Sequence, residues 1–165
     1  MLKAYYYHLR GVYETDFPDF PPMKYNFTGE MPRNIQTSFG TRVRVLPFNC
    51  TVQVVFQNTK TLFQEGHPLH LHGQNFWVVG MGLGNFNPFK DPIDFNLRNP
   101  ISRNTVVVPS GGWAAIRFRT LNPGMYRINL SCAFGQCFEK TNSSFDIESQ
   151  HTLVIVREFN MPIRS

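Results

Sequence analysis

Residues 66–73 read GHPLHLHG and place three of the chain's five histidines, His67, His70 and His72, within six positions. Successive side chains of a β-strand alternate between its two faces, so an extended segment presents His70 and His72 together. His67 is an odd number of residues from His70 and belongs to the opposite face. Neutral imidazole binds copper, zinc, iron and nickel, whereas calcium and magnesium prefer the carboxylates that this segment lacks. The segment predicts a strand with two adjacent candidate metal ligands.

A His-x-His pair alone occurs in many classes of protein, so its surroundings decide its interpretation. In the alternative interpretation the histidines only begin a strand and form hydrogen bonds with backbone carbonyls. This explains one of the three histidines more readily than all of them. A cupin would carry a glutamate shortly after the pair, and residues 73–77, GQNFW, contain none. The segment therefore favours a transition-metal site that is not of the cupin type.

Composition predicts a single folded domain spanning residues 1–165. The chain is 15% aromatic and 16% charged and contains twelve prolines, which is typical of a loop-rich globular domain. The formal net charge is +5, but no run of four basic residues occurs, so no nucleic-acid interface is predicted. No apolar stretch is long enough to span a membrane. Arginines of the predicted strands are expected to face solvent: Arg42, Arg44, Arg117 and Arg119.

Short apolar and alternating runs predict about eight strands separated by turns rich in glycine and proline. Besides the histidine segment, the runs are residues 4–9, 41–46, 51–57, 76–81, 105–108, 113–119, 124–130 and 152–156. The run 51–57 has apolar side chains on both faces and needs a second layer to cover it. Gly80, Gly82 and Gly84 predict a loop at the end of the 76–81 run. Since helical periodicity is almost absent, we expect an all-β sandwich or barrel with little helix.

The acceptor pattern for N-glycosylation occurs four times, at Asn26, Asn49, Asn129 and Asn142. This frequency favours a secretory setting. The chain nevertheless begins MLKAY, without an apolar run long enough for a signal peptide. We therefore expect either that the targeting signal lies upstream of this start or that the chain is a fragment.

A series of motifs, in order along residues 2–126, resembles plant laccases. They are 11–18 GVYETDFP, 25–29 YNFTG, 45–49 VLPFN, 67–80 HPLHLHGQNFWVVG, 95–100 FNLRNP, 103–106 RNTV and 108–118 VPSGGWAAIRF. Laccases are multicopper oxidases built from three cupredoxin domains, and this chain resembles only the third. The resemblance implies a cupredoxin-like Greek-key β-sandwich.

In laccases a mononuclear type 1 copper takes electrons one at a time from phenols, including lignin precursors, and passes them to a trinuclear copper cluster that reduces dioxygen to water. The resemblance implies that His67 binds the type 1 copper and that His70 and His72 bind the trinuclear cluster. The family's other cluster ligands include histidines of the first domain, so the resemblance also implies the first two cupredoxin domains as partners. It further implies secretion to the apoplast.

Residues 127–165 depart from the laccase pattern. Where a laccase carries a His-Cys-His segment, this chain has Asn129, Leu130 and Ser131, and leucine offers copper no ligand. A slip of two residues would bring Cys132 to the same face, but neither of its neighbours is a histidine. The electron path between the two copper sites is therefore expected to be broken.

The remaining ligand candidates in this tail rest on residue type alone. Cys132 and Cys137 are interpreted as buried thiols or disulfide partners, and with Cys50 they make an odd number, so at least one is unpaired within the chain. His151 is interpreted as a surface histidine beside the last strand.

The sequence thus predicts the carboxy-terminal copper-binding domain of a laccase-like oxidase, inactive as an isolated chain. Two alternatives stay open. One is a non-catalytic β-sandwich of the cell wall whose histidines are relics. The other is a truncated or decayed laccase product without a stable fold, since a lone domain would expose apolar surface that the family buries.

Overall fold

The fold is all-β, with strands in two antiparallel sheets. The computed structural model describes residues 7–8, 14–20, 44–58, 66–121, 128–130 and 152–159. The described strands are β1 (Thr51–Asn58), β2 (His67–Leu71), β3 (Phe76–Leu83), β4 (Ile101–Arg103), β5 (Thr105–Val108), β6 (Gly112–Arg119), β7 (Ile128–Leu130) and β8 (Thr152–Phe159). A short 3-10 helix spans Asp91–Asp94. The predicted all-β class with little helix is confirmed.

The larger of the two sheets has the strand order β4-β3-β6-β1-β8, and the smaller has the order β5-β2-β7. We call them the large sheet and the small sheet. The strand order within each sheet differs from the order along the chain, and the chain changes sheet between β1 and β2, and again between β2 and β3. The small sheet therefore carries the histidine strand, held by two short neighbours.

The main core lies between the two sheets. The large sheet supplies Val54, Phe56 and Phe118, and the small sheet supplies Leu69 and Val108 among the other members of this cluster. Each of these five side chains is buried, with at most 2% exposed. Removal of this much apolar surface from water is the principal stabilising contribution in a chain of this size.

A second core covers the outer face of the large sheet. It contains Val55, Val79, Phe95, Trp113 and Ala115. Strand β1 lies between the two cores and is buried along its whole length. The expectation that residues 51–57 need a second layer is therefore correct, and the loop that contains Phe95 provides part of that layer.

The prediction of a loop at Gly80 and Gly82 is wrong, because both lie within β3. A Cβ atom at Gly80 would approach the Phe95 ring to 2.7 Å, and one at Gly82 would approach the Trp113 ring to 2.7 Å. These glycines therefore let two aromatic rings pack closely against the strand. Gly84, the third glycine, follows the strand with a φ of +79°, which favours glycine.

The buried amide of Gln57 joins β1 to the loop after β3 and to the start of β6. Its Nε2 donates to the carbonyl oxygens of Gly84 at 3.0 Å and Gly112 at 3.1 Å. Its Oε1 accepts from the backbone N–H of Phe86 at 2.8 Å. One side chain of β1 thus forms hydrogen bonds with two other segments, the loop after β3 and the start of β6.

Some of the other predicted strands are found in the structure and others are not. Of the run 41–46, residues 44–46 are irregular, so no strand forms there within the described residues. Strand β4 was not predicted, because three exposed residues give no periodicity. The runs 51–57, 76–81, 105–108, 113–119 and 152–156 correspond to observed strands. The run 124–130 does so only at residues 128–130. In the run 4–9, Tyr7 and His8 form a turn, with a φ of +52° at His8, so the predicted strand is absent from the described part of that run. Residues 4–6, 9 and 122–127 lie outside the described part.

The expected exposure of the strand arginines holds for Arg119 and fails for Arg117. Arg117 is partly buried on the outer face of the large sheet, where its Nε donates to Gln53 Oε1 at 2.9 Å. Burial lowers the pKa of the Arg117 guanidinium from its usual range. Arg44 is only partly exposed and forms an ion pair with Asp19 at 2.7 Å, and Arg42 lies outside the described residues.

No helix in the described part of the chain is long and apolar enough to cross a membrane.

Candidate metal centre

The histidine strand β2 is fixed by its inward-facing leucines. Leu69 and Leu71 are each 2% exposed and pack in the core between the sheets. Because side chains alternate along a strand, the residues between and after them face the other way. His70 is partly buried and His72, directly after the strand, is exposed. Burial of the leucines therefore sets the direction of both imidazoles.

The structure brings His70 and His72 together, as their spacing predicts. Their ring centroids are 4.7 Å apart and the ring planes meet at 74°, an edge-to-face arrangement. The pair lies at the end of β2 on the small sheet's outer face, where His72 is exposed. Two imidazoles this close could ligate one metal ion or two neighbouring ions.

The backbone of the neighbouring strand connection orients the His70 ring. Its Nδ1 lies 2.8 Å from the carbonyl oxygen of Asn104, the residue between β4 and β5. The same carbonyl accepts the backbone N–H of Leu71 at 3.1 Å. Metal-binding histidines characteristically donate one ring N–H to a carbonyl or carboxylate and use the other nitrogen for the metal. This contact leaves the second ring nitrogen of His70 for a transition metal.

His67 lies apart from this pair. It begins β2 on the face shared with Leu69 and Leu71, and its backbone is paired with that of Val108. Within the described residues, no group of three or more His, Cys, Asp or Glu side chains is arranged to hold a metal ion. The described site is thus a two-histidine pair, with a third histidine on the opposite face of the same strand.

Strand β7 occupies the position beside the histidine strand. Asn129 pairs with His70 and Leu130 pairs with Leu69 in the backbone register. The chain therefore places an asparagine position directly beside His70. Ser131 and the tail candidates Cys132, Cys137 and His151 lie outside the described residues.

Two of the four sequon asparagines fall within the described chain. Asn49 is exposed at a turn with a φ of +63°, a conformation that asparagine adopts more readily than most residues. Asn129 lies in β7, whereas Asn26 and Asn142 lie outside the described residues.

Cys50 follows the Asn49 turn and is a free, partly buried cysteine. Its Sγ lies 3.3 Å from the buried hydroxyl of Thr120, which accepts the Cys50 N–H at 2.9 Å and donates to the Pro47 carbonyl at 2.6 Å. This hydroxyl closes the turn against the end of β6. The contacts assign Cys50 a structural place, since the thiol packs in a hydrogen-bonded turn remote in sequence from the histidines.

Sequence reasoning did not single out Asn104 and Thr105. Both belong to the RNTV motif at 103–106, but their role depends on β5 pairing with β2, a contact between residues more than thirty positions apart. It also gave no role to Gln74, whose Nε2 is the one buried side-chain nitrogen or oxygen in the described residues without a hydrogen-bond partner.

Comparison with known proteins connects this arrangement to a family. The sequence model described as Multicopper oxidase matches residues 16–136. Laccase-22 of Oryza sativa subsp. japonica is 56% identical over 126 residues, covering 76% of this chain and 22% of that protein. Laccase-11 of Arabidopsis thaliana is 56% identical over 127 residues, covering 76% of this chain and 23% of that protein. The crystal structure of the laccase from Botrytis aclada matches with a TM-score of 0.43 and 37% identity, over 47% of this chain and 15% of that one.

An antiparallel β-sandwich that carries an imidazole pair at the end of a strand has a site suited to binding a transition metal. The family match covers most of the chain, and the chain therefore belongs to the multicopper oxidase family. Its fold is the cupredoxin-like β-sandwich that the laccase resemblance implies. The chain spans about a fifth of the length of the curated relatives that it matches.

Proposed function

We propose that this chain is the carboxy-terminal copper-binding domain of a laccase-like multicopper oxidase. The observation that carries the proposal is the imidazole pair at the end of β2, whose rings lie 4.7 Å apart in a chain of a copper oxidase family. Phenols, including lignin precursors, and dioxygen are the proposed substrates of the complete oxidase. This chain would contribute metal ligands to it.

His70 and His72 are proposed to hold copper of the trinuclear cluster, and His67 the mononuclear type 1 copper. Bound copper supplies one-electron redox chemistry, which protein side chains of this site lack. The chain itself contributes position. Strand β2 sets the separation of the two imidazoles, and the Asn104 carbonyl holds the His70 ring through Nδ1. The first two cupredoxin domains of the oxidase would supply the ligands that complete the cluster.

These 165 residues alone are proposed not to reduce dioxygen. The positions of the family's His-Cys-His segment are Asn129, Leu130 and Ser131, so no thiolate connects the type 1 site to the cluster. A phenol added to the copper-loaded chain should cause no oxygen consumption above that of copper in buffer. An oxygen electrode measures this directly, and phenol-dependent uptake at stoichiometric copper would contradict the proposal.

The proposal treats residues 1–165 as one domain, family-like over 2–126 and divergent over 127–165. A secreted, apoplastic location is proposed from the laccase resemblance together with the sequons. Asn49 is the sequon for which the described structure adds support, because the side chain is exposed at a turn. Mass spectrometry of the chain produced through a plant secretory pathway should find glycan on Asn49. Unmodified Asn49 in such a preparation would count against this location.

Copper titration of the complete chain tests the metal site. The wild-type chain should bind copper, and His70→Ala and His72→Ala should each weaken binding by at least about tenfold. His8→Asn is the matched control, because His8 is an exposed histidine outside the segment and asparagine accommodates its φ of +52°. Isothermal titration calorimetry gives the affinity and the stoichiometry in each variant.

The outcome also separates the alternatives. Copper affinity that is unchanged in both histidine variants would contradict the proposal and favour a non-catalytic β-sandwich with relic histidines. A chain that neither binds copper nor unfolds cooperatively would favour a truncated or decayed laccase product.

A further inference from the structure

The connection between β4 and β5 presents two oxygen atoms to one nitrogen of His70. The backbone carbonyl of Asn104 lies 2.8 Å from His70 Nδ1, and the hydroxyl of Thr105 lies 3.2 Å from the same atom. Thr105 pairs with His70 across the two strands, so the ladder itself fixes this approach. We call the two residues and their three oxygen atoms the Asn104–Thr105 clamp.

The Asn104 carbonyl oxygen and the Thr105 hydroxyl oxygen are both hydrogen-bond acceptors toward His70 Nδ1. A backbone carbonyl has no hydrogen to donate, so Nδ1 must carry the proton of the bond to Asn104. The Thr105 hydroxyl has one hydrogen, which it donates to Asn104 Oδ1 at 3.1 Å. Its lone pairs then face His70 Nδ1. The Asn104 side chain thus keeps Thr105 from acting as a donor to the ring.

A neutral imidazole carries one N–H and one lone pair, on different nitrogens. With the proton held on Nδ1, the only lone pair of His70 is on Nε2. We propose that Asn104 and Thr105 are positioning residues that fix His70 as the Nδ1–H tautomer, before any metal binds. The significance of this for copper rests on the proposed function, but the tautomer itself is a property of the metal-free chain.

The tautomer is measured in the metal-free protein with ¹⁵N-labelled histidine, by long-range ¹H–¹⁵N correlation at about pH 8, where an ordinary imidazole is neutral. His70→Ala assigns the signals by their loss. His70 should show the pattern of the Nδ1–H form. Detection of the Nε2–H form in the wild-type chain would overturn the proposal.

Two substitutions open the clamp from different sides. Thr105→Val removes the hydroxyl with little change in shape, and Asn104→Ala frees the hydroxyl to donate to Nδ1. Each should lower the ratio of the Nδ1–H to the Nε2–H form about two- to tenfold, the effect of one modest hydrogen bond. Thr105→Ser keeps the hydroxyl and should stay within about twofold of the wild type. His72 signals serve as an internal control for general unfolding.

Ratios that are unchanged in Thr105→Val and Asn104→Ala would overturn the clamp. Copper affinity of the same variants then distinguishes the two proposals. A chain with the Nδ1–H tautomer that binds no copper contradicts the proposed function and supports the clamp. A chain that binds copper through His70 and His72 but shows the Nε2–H tautomer does the reverse.

Discussion

The two sheets differ in how firmly their central strands are held. In the large sheet, β1 and β6 are eight residues long, pair along most of their length and have a packed core on each face. In the small sheet, β2 is five residues long, and its neighbours β5 and β7 have four and three residues. The candidate ligands lie on this small sheet, which has the fewer and shorter strands.

The large sheet therefore contributes most of the stability, and the small sheet carries the candidate metal ligands. The large sheet buries apolar side chains on both faces, whereas the small sheet buries Leu69 and Leu71 on one face and leaves the imidazole pair on the other. Binding groups commonly lie on parts of a protein that a rigid scaffold positions but that add little to its stability. We therefore expect substitutions in the two sheets to have different signatures.

The largest expected effect is the loss of a core side chain of the large sheet. Phe56 is fully buried, and Phe56→Ala should lower the free energy of unfolding by about 3–5 kcal/mol, because it removes apolar burial and leaves a cavity. Urea denaturation measures this loss. Phe89→Ala is the matched control, since Phe89 is 87% exposed, and its effect should stay within about 0.5 kcal/mol. Equal losses in the two variants would contradict the assignment of the core.

A smaller effect is expected from the buried amide of the large sheet. Gln57→Met preserves the approximate volume but removes the bonds to Gly84, Gly112 and Phe86, and should cost about 2–3 kcal/mol. Gln74→Met makes the same chemical change at an amide whose buried nitrogen has no hydrogen-bond partner, and should cost much less. If Gln74→Met proves the more damaging variant in urea denaturation, the role given to Gln57 is wrong.

The smallest effect is expected at the imidazole pair of the small sheet. His72 is exposed directly after β2, so His72→Ala should change the free energy of unfolding of the metal-free chain by no more than about 0.5 kcal/mol. Thermal unfolding without metal checks this value. A loss of several kcal/mol would show that the pair supports the fold and would remove the distinction between the two sheets.

Patterns among neighbouring residues predict much of the structure of this molecule. The two-sided burial of β1 and the shared face of His70 and His72 both follow from alternation along a strand, which is a property of neighbouring residues. The family resemblance added the sandwich architecture. The strand features depend on the order of residues within one segment, and the architecture was inferred from many motifs in order along the chain. Each of these can be found in the sequence itself.

Features that depend on contacts between distant segments were missed. Glycines at 80 and 82 suggested a loop, but their missing Cβ atoms leave room for the rings of Phe95 and Trp113, which come later in the chain. Arg117 was expected in solvent, yet Gln53 lies opposite it on β1 and shares its burial. The clamp on His70 depends on the register of β5 against β2. None of these partners is adjacent in sequence, so no local pattern reveals them.

The irregularity in β3 also bears on how the length of this strand can vary. The register against β6 shifts between Val78 and Gly80, so Val79 is an additional residue that the ladder skips. Deletion of Val79 would leave every later residue of β3 on its present face. Deletion of one residue elsewhere in the strand would reverse those faces and place side chains where the aromatic rings now rest on glycine. Val79 is also a buried member of the second core, so its deletion keeps the register but removes apolar contact, and a single-residue deletion scan of β3 separates these two effects.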